Sequence, residues 1–140
     1  MIFVDSSAFY ALADGDDRHH QSAKDFYRAI ITSRRLITTD YILLECWYLL
    51  ESRLNRDAAI AFWDGLRSGI VEMIKVELQD LEQARGIIER FSDQTFSLVD
   101  ATSFALMERE GLLQVFTFDA HFRIYRFGEG NRRYFEVFPP

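Results

Sequence analysis

Short apolar runs alternate along this chain with longer stretches whose apolar residues recur at helical spacing. Ile2, Phe3 and Val4 predict a buried strand, Ser6 and Ser7 a helix start, and Ala8 to Ala13 its apolar turns. The Asp14-Gly15-Asp16-Asp17 cluster predicts a loop. Ala23, Phe26, Tyr27, Ile30 and Ile31 mark the next helix, and Leu36 to Thr39 a second strand. The helix that follows, Tyr41 to Leu54, is apolar nearly all round at its start, which predicts burial. Ala58, Ala59, Phe62, Trp63 and Leu66 predict a further amphipathic helix ended by Gly69, and Ile70 to Val76 a third strand. Leu81, Ala84, Ile88 and Phe91 then mark a helix, and Ser97 opens another that carries Ala101, Phe104 and Ala105, with Gly111 as its stop. Val115 to Phe118 is the fourth strand. Strands alternating with helices predict an α/β fold whose largely parallel sheet is covered on both faces. In such folds functional groups collect beyond the carboxyl ends of the strands.

No repeat, low-complexity tract or linker divides the 140 residues, and both prolines lie at the very end, so residues 1–140 read as one domain. A hydrophobic content of 49% is enough for a core of its own. The single cysteine, Cys46, excludes a disulfide framework, a zinc ribbon and a Cys-x-x-Cys motif, and points to a reducing compartment. With no leader ahead of the first strand and no apolar run of membrane length, the expected location is the cytoplasm. A net charge of −6 argues at first against a nucleic-acid partner. The last stretch changes that picture, because Arg123, Arg126, Arg132 and Arg133 there outnumber Glu129 and Glu136. A solvated basic tail and a phosphate-contacting patch fit it equally.

Four carboxylates stand where ordinary surface charge does not explain them. Asp5 closes the first strand, Glu45 interrupts the apolar stretch from Tyr41 to Leu50, Asp100 follows Ser97-Leu98-Val99, and Asp119 closes Val115 to Phe118. On a parallel sheet these segments converge at one edge. Clustered carboxylates repel, and a bound divalent cation is the usual reason a protein tolerates them, so the pattern points to a metal site with hydrolytic chemistry. Three of the four have a simpler reading as well. Asp5 could cap the first helix, Ser97-x-x-Asp100 has the form of a capping box, and Asp119 could cap a short segment from Ala120 to Tyr125. Asp40, directly before a long helix, reads as a cap.

Glu45 decides between the readings. Its neighbours three and four positions away are Tyr41, Ile42, Tyr48 and Leu49, none of which offers a countercharge. A buried unpaired carboxylate costs several kcal/mol or is forced neutral, so something must bind it. Ser6 and Thr117 flank two of the acids and could hydrogen-bond a carboxylate or a metal water. Asp93 is a turn former that could at most support the site from behind the ligands. His19 and His20 read as an ordinary helix start, and His121 is close enough to Asp119 to reach the mouth of the site. Without neighbouring cysteines or an H-E-x-x-H pattern, zinc has little support.

At these residues the chain resembles the PIN-domain family, and within it the VapC-type ribonuclease toxins of toxin-antitoxin pairs. The matching pieces are Ile2-Phe3-Val4-Asp5-Ser6-Ser7-Ala8, Asp40-Tyr41-Ile42-Leu43-Leu44-Glu45, Phe96 to Met107, and Phe116-Thr117-Phe118-Asp119-Ala120-His121-Phe122. They occur in the family's order and span nearly the whole chain. The resemblance implies a three-layer sandwich with a mostly parallel central sheet flanked by helices. It also implies a Mg²⁺- or Mn²⁺-dependent endoribonuclease, commonly dimeric, whose cognate antitoxin threads a segment over the site. The family's acidic quartet maps onto Asp5, Glu45, Asp100 and Asp119, and its hydroxyl positions onto Ser6 and Thr117. Asp5 and Asp100 are expected to hold the principal ion, Glu45 to orient the attacking water or bridge to a second ion, and Asp119 to complete the cluster.

Oxygen ligands select Mg²⁺ or Mn²⁺ over softer metals, which agrees with that chemistry. Arg123 and Arg126, from the arginine-rich end, are the expected contacts to RNA phosphates. Tyr41 to Leu50 and Phe62-Trp63 supply more aromatic surface than one small sheet needs, which predicts a homodimer built on helix-helix contacts. The alternatives within the fold are a non-toxin RNA-processing nuclease and a catalytically silent binding module. An α/β phosphoacceptor or phosphatase would want a second acid beside Asp5 or a lysine at the last strand. Asp5-Ser6-Ser7 and Phe118-Asp119-Ala120 supply neither.

Overall fold

The first strand, β1 (Ile2–Val4), lies at the centre of the molecule because each of its three side chains is apolar and each is buried. A strand buried on both faces needs cover on both, and the chain supplies it with helices. In the computed structural model, which describes all 140 residues, β1 is followed by α1 (Ser6–Ala13), α2 (His20–Ile30), β2 (Leu36–Thr39), α3 (Asp40–Arg53) and α4 (Arg56–Arg67). Then come β3 (Val71–Ile74), α5 (Leu78–Arg90), α6 (Leu98–Glu110), β4 (Gln114–Phe116), α7 (His121–Ile124), a 3-10 turn at Glu129–Asn131 and β5 (Glu136–Phe138). The strands form one sheet in the order β3-β2-β1-β4-β5, and every pairing is parallel. All five carboxyl ends therefore face one edge, as the alternation of elements predicts.

Helix α6 runs through the interior. Every residue from Asp100 to Met107 is buried, and its Phe104 ring stacks on Tyr125 with centroids 4.4 Å apart. Gly111 ends it in the left-handed conformation (φ 68°) expected of its stop signal. Arg109, near its end, donates to both carboxylate oxygens of the buried Asp80 on α5, at 2.7 and 2.8 Å. Burial alone would raise the Asp80 carboxyl, but the Arg109 hydrogen bonds outweigh it and hold the group below its ordinary range.

Two expectations, and one of the two open readings of the chain end, need correction. The chain end is not a free basic tail, because β5 adds an edge strand beside β4 with Phe135 and Val137 buried on either side of the exposed Glu136. Asp40 is not the cap of α3. Thr39 is, accepting from the Ile42 N–H at 3.1 Å, while the Asp40 carboxylate accepts from Val76 N–H at 2.9 Å and ties α3 to the chain beyond β3. Nor is α3 buried all round. Ile42, Cys46 and Leu50, four residues apart, face the core, and the parallel stripe of Leu44 and Tyr48 is 67% and 69% exposed. No helix is long and apolar enough to cross a membrane.

Candidate active site

The sheet delivers Asp5 and Thr117 side by side, since each directly follows one of two paired central strands. Asp5 occupies the N-cap position of α1 but makes no capping hydrogen bond. Its Oδ2 instead accepts from the Thr117 hydroxyl at 2.8 Å and the Ser7 hydroxyl at 2.9 Å. Those hydroxyls are themselves fixed, because Ser7 Oγ accepts from Phe118 N–H (2.9 Å) and Thr117 Oγ1 from Asp119 N–H (3.0 Å). Each hydroxyl thus takes a backbone proton from the turn after β4 and gives its own to Asp5. Glu45, the second turn of α3, accepts from the Ser6 hydroxyl.

Asp100 has both roles that the sequence offered it. It completes a capping box with Ser97, its Oδ2 accepting from Ser97 N–H at 3.1 Å while Ser97 Oγ accepts from Asp100 N–H at 3.0 Å. The same Oδ2 lies 2.9 Å from His121 Nδ1. Asp119 Oδ1 accepts from His121 N–H at 2.9 Å and stands 3.5 Å from the same imidazole nitrogen. Asp100, Asp119 and His121 offer ligand atoms that all lie within 4.8 Å of one another.

Each of the four carboxylates spends one oxygen on these protein contacts and keeps the other free: Asp5 Oδ1, Glu45 Oε2, Asp100 Oδ1 and Asp119 Oδ2 accept nothing. No buried side-chain polar atom in the protein lacks a partner, so these free oxygens are open to the cleft. No lysine or arginine pairs with any of the four. Electrostatics record the cost. Burial pushes Asp5, 3% exposed, up to about 7, against the opposing Thr117 and Ser7 hydrogen bonds and with help from the Asp100 and Glu45 charges. Burial also raises Glu45 and Asp100, each pulled back in part by its hydrogen bond to Ser6 or His121. Four open oxygens without a counter-charge line one cleft, and their chemistry suits a hard divalent cation such as Mg²⁺ or Mn²⁺; the group within 4.8 Å comprises Asp100, Asp119 and His121, with Asp5 and Glu45 elsewhere on the same cleft wall.

The cleft that holds them has a volume of about 630 Å³. Among the other residues singled out from the sequence, Ser6 and Thr117 sit on the acids as described. Asp93 is exposed in its loop and does not line the cleft. Arg123 lines a neighbouring hollow with Thr117 and Asp119, whereas Arg126 folds its guanidinium onto the carbonyls of Arg123 and Tyr125 at 2.7 and 3.0 Å. Sequence reasoning undervalued Ser7, whose signal was its place two residues after Asp5 at a helix start. It also undervalued His121, two residues after Asp119, and missed His19, whose ring stacks on Phe118 with centroids 4.4 Å apart.

A family model described as PIN domain matches residues 2–128. The 23S rRNA-specific endonuclease VapC20 of Mycobacterium tuberculosis is 34% identical over 129 residues, covering 92% of this chain and 97% of that protein. Ribonuclease VapC26 of the same organism is 27% identical over 139 residues, 99% of this chain and 100% of its own. The crystal structure of VapC20, described as a sarcin-ricin loop cleaving toxin, superposes with a TM-score of 0.85 at 32% identity, covering 92% of this chain and 98% of that one. VapBC2 of Rickettsia felis, crystallised on a promoter DNA fragment, shares the fold at a TM-score of 0.68 and 11% identity, with 98% and 97% of the two chains covered.

Proposed function

The chain belongs to the PIN-domain family, and from that premise we propose that it is a VapC-type endoribonuclease, the toxin of a toxin-antitoxin pair, that hydrolyses RNA with Mg²⁺ or Mn²⁺. The observation that carries the reading is that Asp5, Glu45, Asp100 and Asp119 line one cleft, each with one uncommitted carboxylate oxygen. These four would hold the cation. When bound, it acidifies a water and neutralises charge on the attacked phosphate.

The chain's own residues do the positioning. Ser7 and Thr117 clamp one Asp5 oxygen so that the other keeps a fixed direction, and Ser6 does the same for Glu45. Ser97 and His121 set the rotamer of Asp100 from two sides. The backbone N–H of His121 fixes Asp119. Such partners behind the ligands govern affinity and orientation, and losing one typically costs about 10- to 100-fold. Asp93 could act only from outside the cleft. Arg123, in the hollow beside Asp119, is the better placed of the two expected phosphate contacts, because Arg126 turns its Nη1 onto backbone carbonyls and lines neither the hollow nor the cleft.

Likeness to VapC20 over nearly the full length of both chains supports 23S ribosomal RNA, cut at a sarcin-ricin loop, as the substrate. The exposed stripe of Leu44 and Tyr48 on α3 supports a homodimer, and the reduced, buried Cys46 suits the cytoplasm. A cognate antitoxin completes the assembly. Incubating purified protein with ribosomal RNA and Mn²⁺, then mapping ends by primer extension, tests the reading. Discrete cuts that vanish with chelator and in Asp5→Asn are expected, and intact RNA under all metal conditions would sink it.

A further inference from the structure

Two arginines line the acidic cleft with no carboxylate to neutralise them. Arg18, in the loop between α1 and α2, and Arg53, the last residue of α3, share the cleft wall with all four acids. Five arginines away from the cleft pair with carboxylates: Arg35 with Glu72, Arg56 with Glu51, Arg67 with Asp64, Arg85 with Glu89 and Arg109 with Asp80. The loop around Arg18 is rich in aspartate, yet none of those acids pairs with it. Asp14 accepts from the Tyr10 hydroxyl and from Asp16 N–H, each at 2.9 Å, and Asp17 accepts from His19 N–H at 2.8 Å.

Each cation is instead held against an aromatic support. Arg18 Nε donates to His19 Nε2 at 3.1 Å, and the His19 ring stacks on Phe118, one residue from Asp119. The Arg53 guanidinium lies over the Tyr10 ring, 5.3 Å from its centre. A π face or an imidazole restricts where the group sits without cancelling its charge. Both side chains are exposed, so their remaining N–H donors are available to a ligand. A polyanion entering a cleft whose carboxylates outnumber its guanidinium groups needs cations of this kind beside the bound metal, and arginine matches phosphate oxygens with paired donors.

On the ribonuclease reading above, we propose that Arg18 and Arg53 are positioning residues that grip RNA phosphates flanking the scissile bond, with the His19–Phe118 stack and the Tyr10 ring as their rigid seats. The grip acts on binding. It leaves the chemistry at the quartet untouched.

The test uses the full chain and a fluorescein-labelled hairpin RNA. Anisotropy in an Asp100→Asn background gives binding without turnover, and cleavage kinetics are measured in the otherwise wild-type protein. Arg18→Gln and Arg53→Gln are each expected to weaken binding about three- to tenfold and to lower the slope of log affinity against log salt by about 0.7 to 0.9. KM should rise with kcat held within about twofold, Arg53→Lys should recover part of the loss, and Arg35→Gln, which removes an exposed ion pair, should change nothing. Wild-type binding that both glutamine variants retain, or a fall in kcat at constant KM, overturns the proposal while leaving the ribonuclease reading in place. Failure of the unsubstituted cleft to bind or cut any RNA removes both.

Discussion

The Thr117 hydroxyl donates to Asp5 Oδ2 over 2.8 Å, so the residue that follows β4 fixes the carboxylate that follows β1. Adjacent parallel strands make this possible, since only they bring two carboxyl ends within one hydrogen bond of each other. The hydroxyl also accepts the Asp119 N–H, which gives one side chain a hold on two of the four acids.

Thr117→Val keeps the shape and removes both bonds. It is expected to lower kcat about 10- to 100-fold and stability by about 1–3 kcal/mol, because Asp119 N–H loses its acceptor. Thr117→Ser should restore most of each. Cleavage rates and urea unfolding read the two effects, and a valine variant with wild-type kcat would show that the clamp does not matter.

Arg109 and Asp80 make a comparison away from the site. Arg109→Leu would leave the Asp80 carboxylate, 1% exposed, without its partner, and a loss of about 2–4 kcal/mol is expected, below the upper range for a fully buried pair because Arg109 keeps 25% of its side chain exposed. The folded Asp80 carboxyl is held below its unfolded value, so the ion pair's contribution is present above the unfolded pKa and is lost as pH falls through the folded one. Acid unfolding curves should therefore differ between wild type and variant least at the acid end. RNA cleavage at a permissive temperature should be unchanged, and a variant as stable as wild type at neutral pH would contradict the assignment.

The sheet and its acid edge were legible because strand runs and helical periods differ over only a few residues here. Ile2 to Val4 and Leu36 to Thr39 are buried on both faces and read as such. β5 was not, because three residues with one exposed glutamate, closed by Pro139, carry little periodicity of their own and depend on β4 for a partner. The two readings of Asp100 could not be separated in sequence, and the structure shows why: a capping box uses one carboxylate oxygen and leaves the other for the cleft. Arg18 and Arg53 left no signal at all. They are far apart in the chain, and their lack of counter-ions depends on where Asp14 and Asp17 turn their carboxylates.

Leu44 and Tyr48 lie one turn apart on α3 and are more than half exposed, with Tyr48 also at the wall of the cleft. If this stripe is the homodimer contact, Leu44→Glu should place a charge in an apolar interface and give a monomer in light scattering at micromolar concentration, with the fold intact by circular dichroism. Wild type that is already monomeric, or a glutamate variant that stays dimeric, would refute the placement.

Asp5 links the site to stability in a way that needs no substrate. Burial raises its folded carboxyl from 3.8 to about 7, so between these values the folded protein keeps a proton that the unfolded chain has lost. The contribution is fully present below the unfolded value and is lost as pH rises through the folded one, on the order of 4 kcal/mol at full extent. Metal-free protein should accordingly melt lower at pH 7.5 than at pH 5.5. A divalent cation binds the ionised carboxylates of the folded form alone, and at about a hundred times its Kd contributes about 2.7 kcal/mol, so Mn²⁺ should raise the melting temperature at pH 7.5 and much less at pH 5.5. Asn at position 5 can still accept the Ser7 and Thr117 hydroxyls through its amide oxygen, and it carries no charge. Asp5→Asn is expected to melt above wild type at pH 7.5 without metal, to show a flatter dependence on pH, and to respond weakly to Mn²⁺. Melting curves of the two proteins at both pH values, with and without Mn²⁺, make the check. An Asp5→Asn protein that is no more stable than wild type, yet gains as much from Mn²⁺, would mean that Asp5 neither bears the cost of a buried charge nor holds the ion.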